Sequence, residues 1–222
     1  MIFCTHISSF KYGNNTRIES IYFKKGLTVI MNCYAKLPEG YTEAFTLNMQ
    51  KNKKTALIIN LAAVVLMAVM VVIGLQICPL SELFSFDDGM VTYWIRLISL
   101  LVGYIVYIIL HELVHGITMK HYGSKQVKYG FTGMYAYAGS QDYFTKKPYI
   151  VIALAPVVVW EIVLLILNFI VPMSWFWVVY FIQMGNVSGA AGDLYVTWKF
   201  SKLPKDILVK DTGVEMTVYS KE

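Results

Sequence analysis

Four apolar stretches, each long enough to cross a bilayer, constrain this chain more than any other feature. A hydrocarbon core needs roughly 20 residues of helix. The first stretch runs from about Thr55 to Leu80 without a charged residue, and the second from about Tyr93 to Thr118 with Arg96 near its start. The third, about Tyr149 to Val171, contains Glu161, and the fourth, about Trp175 to Val196, contains Asp193. Charged residues make up 15% of the chain, against the roughly 25% usual in soluble domains. The expected fold is an all-α integral membrane protein with four transmembrane helices.

The lysines orient those spans, because cytoplasmic flanks are enriched in Lys and Arg. Lys51, Lys53 and Lys54 precede the first span, whereas the loop after it carries Glu82, Asp87 and Asp88 and no basic residue. Lys120, Lys125, Lys128, Lys146 and Lys147 fall between the second and third spans, and Lys199, Lys202, Lys205 and Lys210 follow the fourth. All of these lie on one side if both termini are cytoplasmic, in a multi-pass protein of the cell membrane. The net charge of +5 is spent on these flanks. No nucleic-acid reading face is expected. The lipid bilayer is the expected surrounding; the oligomeric state is open.

Three parts follow: an N-terminal cytoplasmic segment over 1–54, a four-span domain over 55–198 and a cytoplasmic tail over 199–222. Residues 1–30 differ in composition from the rest, and Met31 is the expected true start. No cleavable signal peptide is expected, so the first span targets the chain. Cys4, Cys33 and Cys78 form neither a metal-type pair nor a disulfide framework. Between the second and third spans, Val127–Phe131 and Met134–Tyr137 flank Thr132-Gly133, which predicts a β-hairpin or an aromatic loop at the interface. A short strand is expected near Met216–Tyr219.

The chemistry concentrates in His111-Glu112-Leu113-Val114-His115, which continues the uncharged run Leu97–Leu110. Residues four apart on a helix share a face, about 6 Å apart along the axis. Two imidazoles so placed can hold one zinc ion, while Glu112, offset by one residue, stands beside it as general base. Ionisable groups at mid-bilayer cost about 2.5–3.5 kcal/mol each on insertion scales, so three together imply a use.

A catalytic zinc takes a third protein ligand. Asp193 lies six residues before Lys199, roughly 9 Å inside the cytoplasmic end of its span; His115 lies five before Lys120, roughly 7.5 Å inside the same end. The depths agree, which favours Asp193. Glu161, roughly 21 Å deep, is a second candidate, better read as a buried acid paired with a neighbouring span such as Arg96. His121 fits the long HExxHxxGxxH spacing, but that motif turns at a glycine where this chain has Thr118, so His121 reads as a loop histidine. Gly185 through Asp193 is rich in small residues that let helices approach closely. Asn186, seven residues before Asp193, is a candidate substrate-binding donor to a carbonyl or oxyanion, or else a bond between helices.

With HELVHG at 111–116, Ala155-Pro156, Asn186 through Asp193, Leu203-Pro204-Lys205-Asp206 and Asp211-Thr212-Gly213, the chain resembles a bacterial family of zincin-type membrane metallopeptidases. That family is itself similar to site-2 proteases. The resemblance covers the chain from about Leu37 onward. It implies one zinc ion on His111, His115 and Asp193, with Glu112 as base, acting on membrane protein or peptide substrates. Site-2 proteases place their aspartate in an Asn-Pro-Asp-Gly-like context, and Gly192-Asp193-Leu194 lacks that proline and glycine. Two other classes compete with the enzyme: a small metal or proton carrier, and a zinc-stabilised scaffold without catalysis. Four spans with no inverted repeat speak against the carrier.

Overall fold

The computed structural model describes residues 32–48, 51–133 and 135–221. The expectations about residues 1–30 and Met31 fall outside them.

Chain order gives β1 (Cys33–Tyr34), β2 (Tyr41–Leu47), α1 (Lys53–Ile77), α2 (Met90–His121), β3 (Val127–Phe131), β4 (Ala136–Ser140) and β5 (Tyr143–Thr145). These are followed by α3 (Lys146–Ile170), α4 (Phe176–Gly189), α5 (Ala191–Ser201), β6 (Leu208–Asp211) and β7 (Met216–Lys221). Local signals set the helix ends. The Asn52 side chain caps α1 by accepting from the Thr55 N–H at 3.1 Å, and the helix ends at Ile77, two residues before Pro79. Among the described residues, three helices, α1, α2 and α3, are each long and apolar enough to cross a membrane.

The fourth expected span is interrupted. It forms α4 and α5, with Ala190 at φ −78° and ψ 9° between them. Gly185, Gly189, Ala190 and Gly192 explain this locally: glycine is a poor helix former, and a run of small side chains offers little packing to hold a straight helix.

The expectation of helices with at most one hairpin and a tail strand misses a sheet. β1, β5, β6, β7 and β2 form, in that order, a five-stranded antiparallel sheet. The segments read as N-terminal and C-terminal extensions therefore meet, β2 pairing with β7 from Tyr41↔Lys221 to Leu47↔Met216. The sheet closes one end of the helical bundle. Leu47, Phe144, Val209 and Val218 pack there with Met119 of α2, Ile152 of α3 and Val196 and Phe200 of α5. At the other end, Phe176, Trp177 and Tyr180 pack with Cys78 and Leu83. The loop between α2 and α3 forms a separate hairpin, β3–β4, turning through Gly133 at φ 88°.

Candidate metal centre

His111, Glu112 and His115 lie in the last third of α2. The helical repeat stacks the two imidazoles on one face, their ring centroids 5.2 Å apart. Each ring is held through Nδ1. The Tyr107 hydroxyl lies 2.9 Å from Nδ1 of His111, and the Ile152 carbonyl 2.9 Å from Nδ1 of His115.

Both Nε2 atoms face Asp193. Its Oδ2 stands 3.7 Å from Nε2 of His111 and 3.6 Å from Nε2 of His115. These separations exceed the about 2.7–3.2 Å of an N–H···O hydrogen bond. They are close to the roughly 3.3–3.5 Å between two ligands of a tetrahedral ion bonded at about 2.0–2.1 Å. Two imidazole nitrogens and a carboxylate oxygen are also a donor set that suits zinc, so the residues fit the group. Asp193 reaches this position because α5 starts afresh after Ala190, which puts it in that helix's first turn. Unpaired N–H groups there favour a carboxylate.

A second carboxylate is present. His111, Glu112 and His115 could hold a metal ion by themselves, one ligand atom from each lying within 4.8 Å of the others. Glu112, however, also meets the hairpin: the Ala138 backbone N–H of β4 is directed at its carboxylate. Gly116, one turn further along α2, makes room for Tyr129 of β3, whose hydroxyl occupies the place a Cβ would take. The hairpin thus lies directly against the motif.

Other residues singled out in the sequence stand elsewhere. Asn186 is fully buried, and its Nδ2 donates to the Val157 carbonyl at 3.0 Å and to Oε2 of Glu161 at 3.3 Å. With both amide hydrogens committed between helices, it presents no donor to a substrate. Glu161 accepts from Gln183 as well as Asn186, and does not meet Arg96. Arg96 instead donates to the backbone carbonyls of Glu82, Ser85 and Ser174. α2 continues unbroken through Thr118, so His121 is its last residue and packs on Tyr122, outside the cluster. Sequence reasoning missed Tyr107, although it stands four residues before His111, on the same helical face.

Residues 104–208 match a family described as "Putative zincin peptidase". The match takes in His111, Glu112, His115 and Asp193, and it supports a zincin-like family. A protein of Pyrococcus woesei, "Uncharacterized 24.7 kDa protein in gap 5'region", is 34% identical over 117 residues, covering 50% of this chain and 50% of that one. The chain thus spans about half the length of this curated relative. No solved structure matches it.

Proposed function

We propose that this chain is an intramembrane zinc metallopeptidase that hydrolyses peptide bonds of membrane or membrane-proximal substrates near the cytoplasmic face. The observation that carries this reading is the approach of Oδ2 of Asp193 to within 3.6–3.7 Å of both free imidazole nitrogens, with the Glu112 carboxylate alongside.

His111, His115 and Asp193 hold one ion, and Glu112 stands next to it. Asp193 takes the third ligand place because it is almost equidistant from both nitrogens, while Glu112 is engaged by the β4 backbone. A zinc ion held there supplies Lewis acidity, polarising a scissile carbonyl and acidifying water. Glu112 receives the proton of the attacking water and returns it to the leaving amine. Among the described residues β4 pairs with β3 alone, and an extended peptide would add along its other edge by taking over the Ala138 N–H that now meets Glu112. A peptide added there is held by backbone hydrogen bonds, with its chain beside Glu112.

Four segments span the bilayer in this reading, α1, α2, α3 and the interrupted α4–α5, with both termini in the cytoplasm. The lysine distribution supports that orientation, and the three long apolar helices are consistent with a membrane protein. The test is cleavage of a membrane-tethered reporter by the purified, reconstituted protein. Glu112→Gln should keep its zinc and lose cleavage. Cleavage by the zinc-loaded variant at the parental rate would remove Glu112 from the reaction. A parent that binds zinc without cleaving any reporter would favour the scaffold.

A further inference from the structure

Pro156 lies inside α3, four residues after Ile152. In an uninterrupted helix the N–H of residue 156 would bond to the carbonyl of residue 152. Proline has no N–H, and its ring crowds the carbonyl one turn back. The Ile152 carbonyl is thereby released from the helical ladder, and this is the carbonyl that lies 2.9 Å from Nδ1 of His115. A carbonyl can only accept, so Nδ1 of His115 carries a proton, and in the neutral ring Nε2 keeps its lone pair toward Asp193.

His111 is governed by a separate chain of bonds. Val157 offers Asn186 only a carbonyl, which fixes the Asn186 amide with Nδ2 toward Val157 and Glu161. Its Oδ1 therefore accepts from the Tyr107 hydroxyl at 3.1 Å. A phenol has one proton to give. With that proton directed at Asn186, the Tyr107 oxygen accepts from His111, whose Nδ1 is 2.9 Å away. From the other side, Gln183 donates to Oε1 of Glu161 at 2.6 Å and accepts from Asn168 at 2.6 Å. Donors thus run toward Glu161 from both directions, and Glu161 and the Val157 carbonyl together set the sense of the chain.

We propose that Pro156 and the Tyr107–Asn186–Glu161 chain are positioning devices that lock His115 and His111 as Nδ1–H tautomers, so that both Nε2 lone pairs face Asp193 before an ion binds. The proposal rests on the metal-site reading above. Pro156 acts through Ile152, and Glu161 through Asn186 and Tyr107; none of them touches the ion.

The experiment uses the full chain in detergent micelles, with its four histidines labelled with 15N. Ring spectra are taken metal-free over a series of alkaline pH values, with tautomers read from the neutral-ring signals, and zinc affinity is measured by chelator competition. The parent should show Nδ1–H at His111 and His115. Tyr107→Phe keeps the ring that packs edge-on against Trp160, and removes the acceptor of Nδ1. Glu161→Gln turns one accepting oxygen into a donor. Tyr107→Phe should shift His111 toward Nε2–H and leave His115 unchanged. Glu161→Gln should do so to a smaller extent because the Val157 carbonyl still holds Nδ2 of Asn186, and Pro156→Ala should shift His115 and leave His111 unchanged. Each should weaken zinc binding by about 10–100-fold, as loss of an orienting partner does. Alanine is the better helix former, so Pro156→Ala should raise the melting temperature of the metal-free protein while its zinc affinity falls. A merely structural proline would not give that combination. Unchanged tautomers, with zinc affinity within about twofold of a zinc-binding parent, would overturn the locking alone. The expected tautomers in a parent that takes up no zinc would uphold the locking and overturn the metal site.

Discussion

The hydroxyl of Tyr149, at the start of α3, donates a 2.7 Å hydrogen bond to Oδ2 of Asp211, at the end of β6. Oδ1 of the same carboxylate accepts from the Gly213 N–H at 2.8 Å, which closes the turn over Thr212. That turn packs on Gly139 of β4, where an added Cβ would overlap the Thr212 carbonyl. Asp211 therefore links the sheet, α3 and the back of the hairpin that lies over Glu112.

Burial raises the Asp211 carboxyl above its usual range, against the lowering effect of its hydrogen bonds from Tyr149 and Gly213. A group with a raised folded value binds its proton more readily folded than unfolded. Its contribution to stability is therefore full below its ordinary value of 3.8 and is lost as pH rises through the folded value. Asp211→Asn keeps an acceptor for Gly213 and can donate to Tyr149 without titrating. The melting temperature of the metal-free parent, minus that of Asp211→Asn, should fall as pH rises above about 4. A difference that is flat with pH would contradict this.

Asp193→Ala removes one of three converging donors. Loss of an orienting partner commonly costs about 10–100-fold in metal affinity, and loss of a ligand should exceed that. Zinc content by atomic emission should drop from one per chain to near zero after dialysis against a weak chelator. Retention of a full equivalent would show that another group, with Glu112 the nearest, completes the site.

Two glycines should differ sharply when changed to alanine. At Gly139 the added methyl meets the backbone of Thr212 and Gly213, which cannot move aside. At Gly116 it meets the end of the Tyr129 side chain, which can. Overpacking against fixed atoms costs about 1–3 kcal/mol. Gly139→Ala should therefore lower the melting temperature more than Gly116→Ala, and should also slow cleavage by displacing β4 from Glu112. Equal melting temperatures would contradict the packing described.

Arg96 is fully buried and gathers the carbonyls of Glu82, Ser85 and Ser174 from two connections, those before α2 and before α4. Arg96→Met fills similar space but leaves these carbonyls without their donor, at about 1–3 kcal/mol for each one that water cannot reach. Faster hydrogen exchange in both connections should follow, with zinc affinity unchanged. Unaltered exchange would mean that Arg96 does not hold them.

What was legible in the sequence depended on range. The joint placement of His111, His115 and Asp193 could be read because two quantities are local: the helical repeat, and the distance of each residue from a flanking lysine. The sheet could not be read. Its longest pairing joins Tyr41–Leu47 to Met216–Lys221, and two of its strands, Cys33–Tyr34 and Tyr143–Thr145, are too short to show alternation. Asn186 failed for another reason. Its chemistry permits either a substrate contact or an interhelical bond, and only the positions of Val157, Tyr107 and Glu161 decide between them. The run of small residues near Gly189 was visible, but close packing and a broken helix leave the same composition.

The interruption at Ala190 has a consequence for how the protein comes into being. Ends of helices leave backbone groups without intrahelical partners, and in hydrocarbon each such group is penalised by several kcal/mol. In the four-span arrangement proposed above, the interruption is tolerable only where protein surrounds it, and α1, α2 and α3 pack around α4 and α5. While a chain that crosses the bilayer as proposed is still being inserted, its last segment can bend at the small residues but has no such shelter, and Asp193 has no route to the paired imidazoles. If the proposed metal site is right, a half-made chain cannot gather the ion, and hydrolytic capacity would arrive only with the finished bundle.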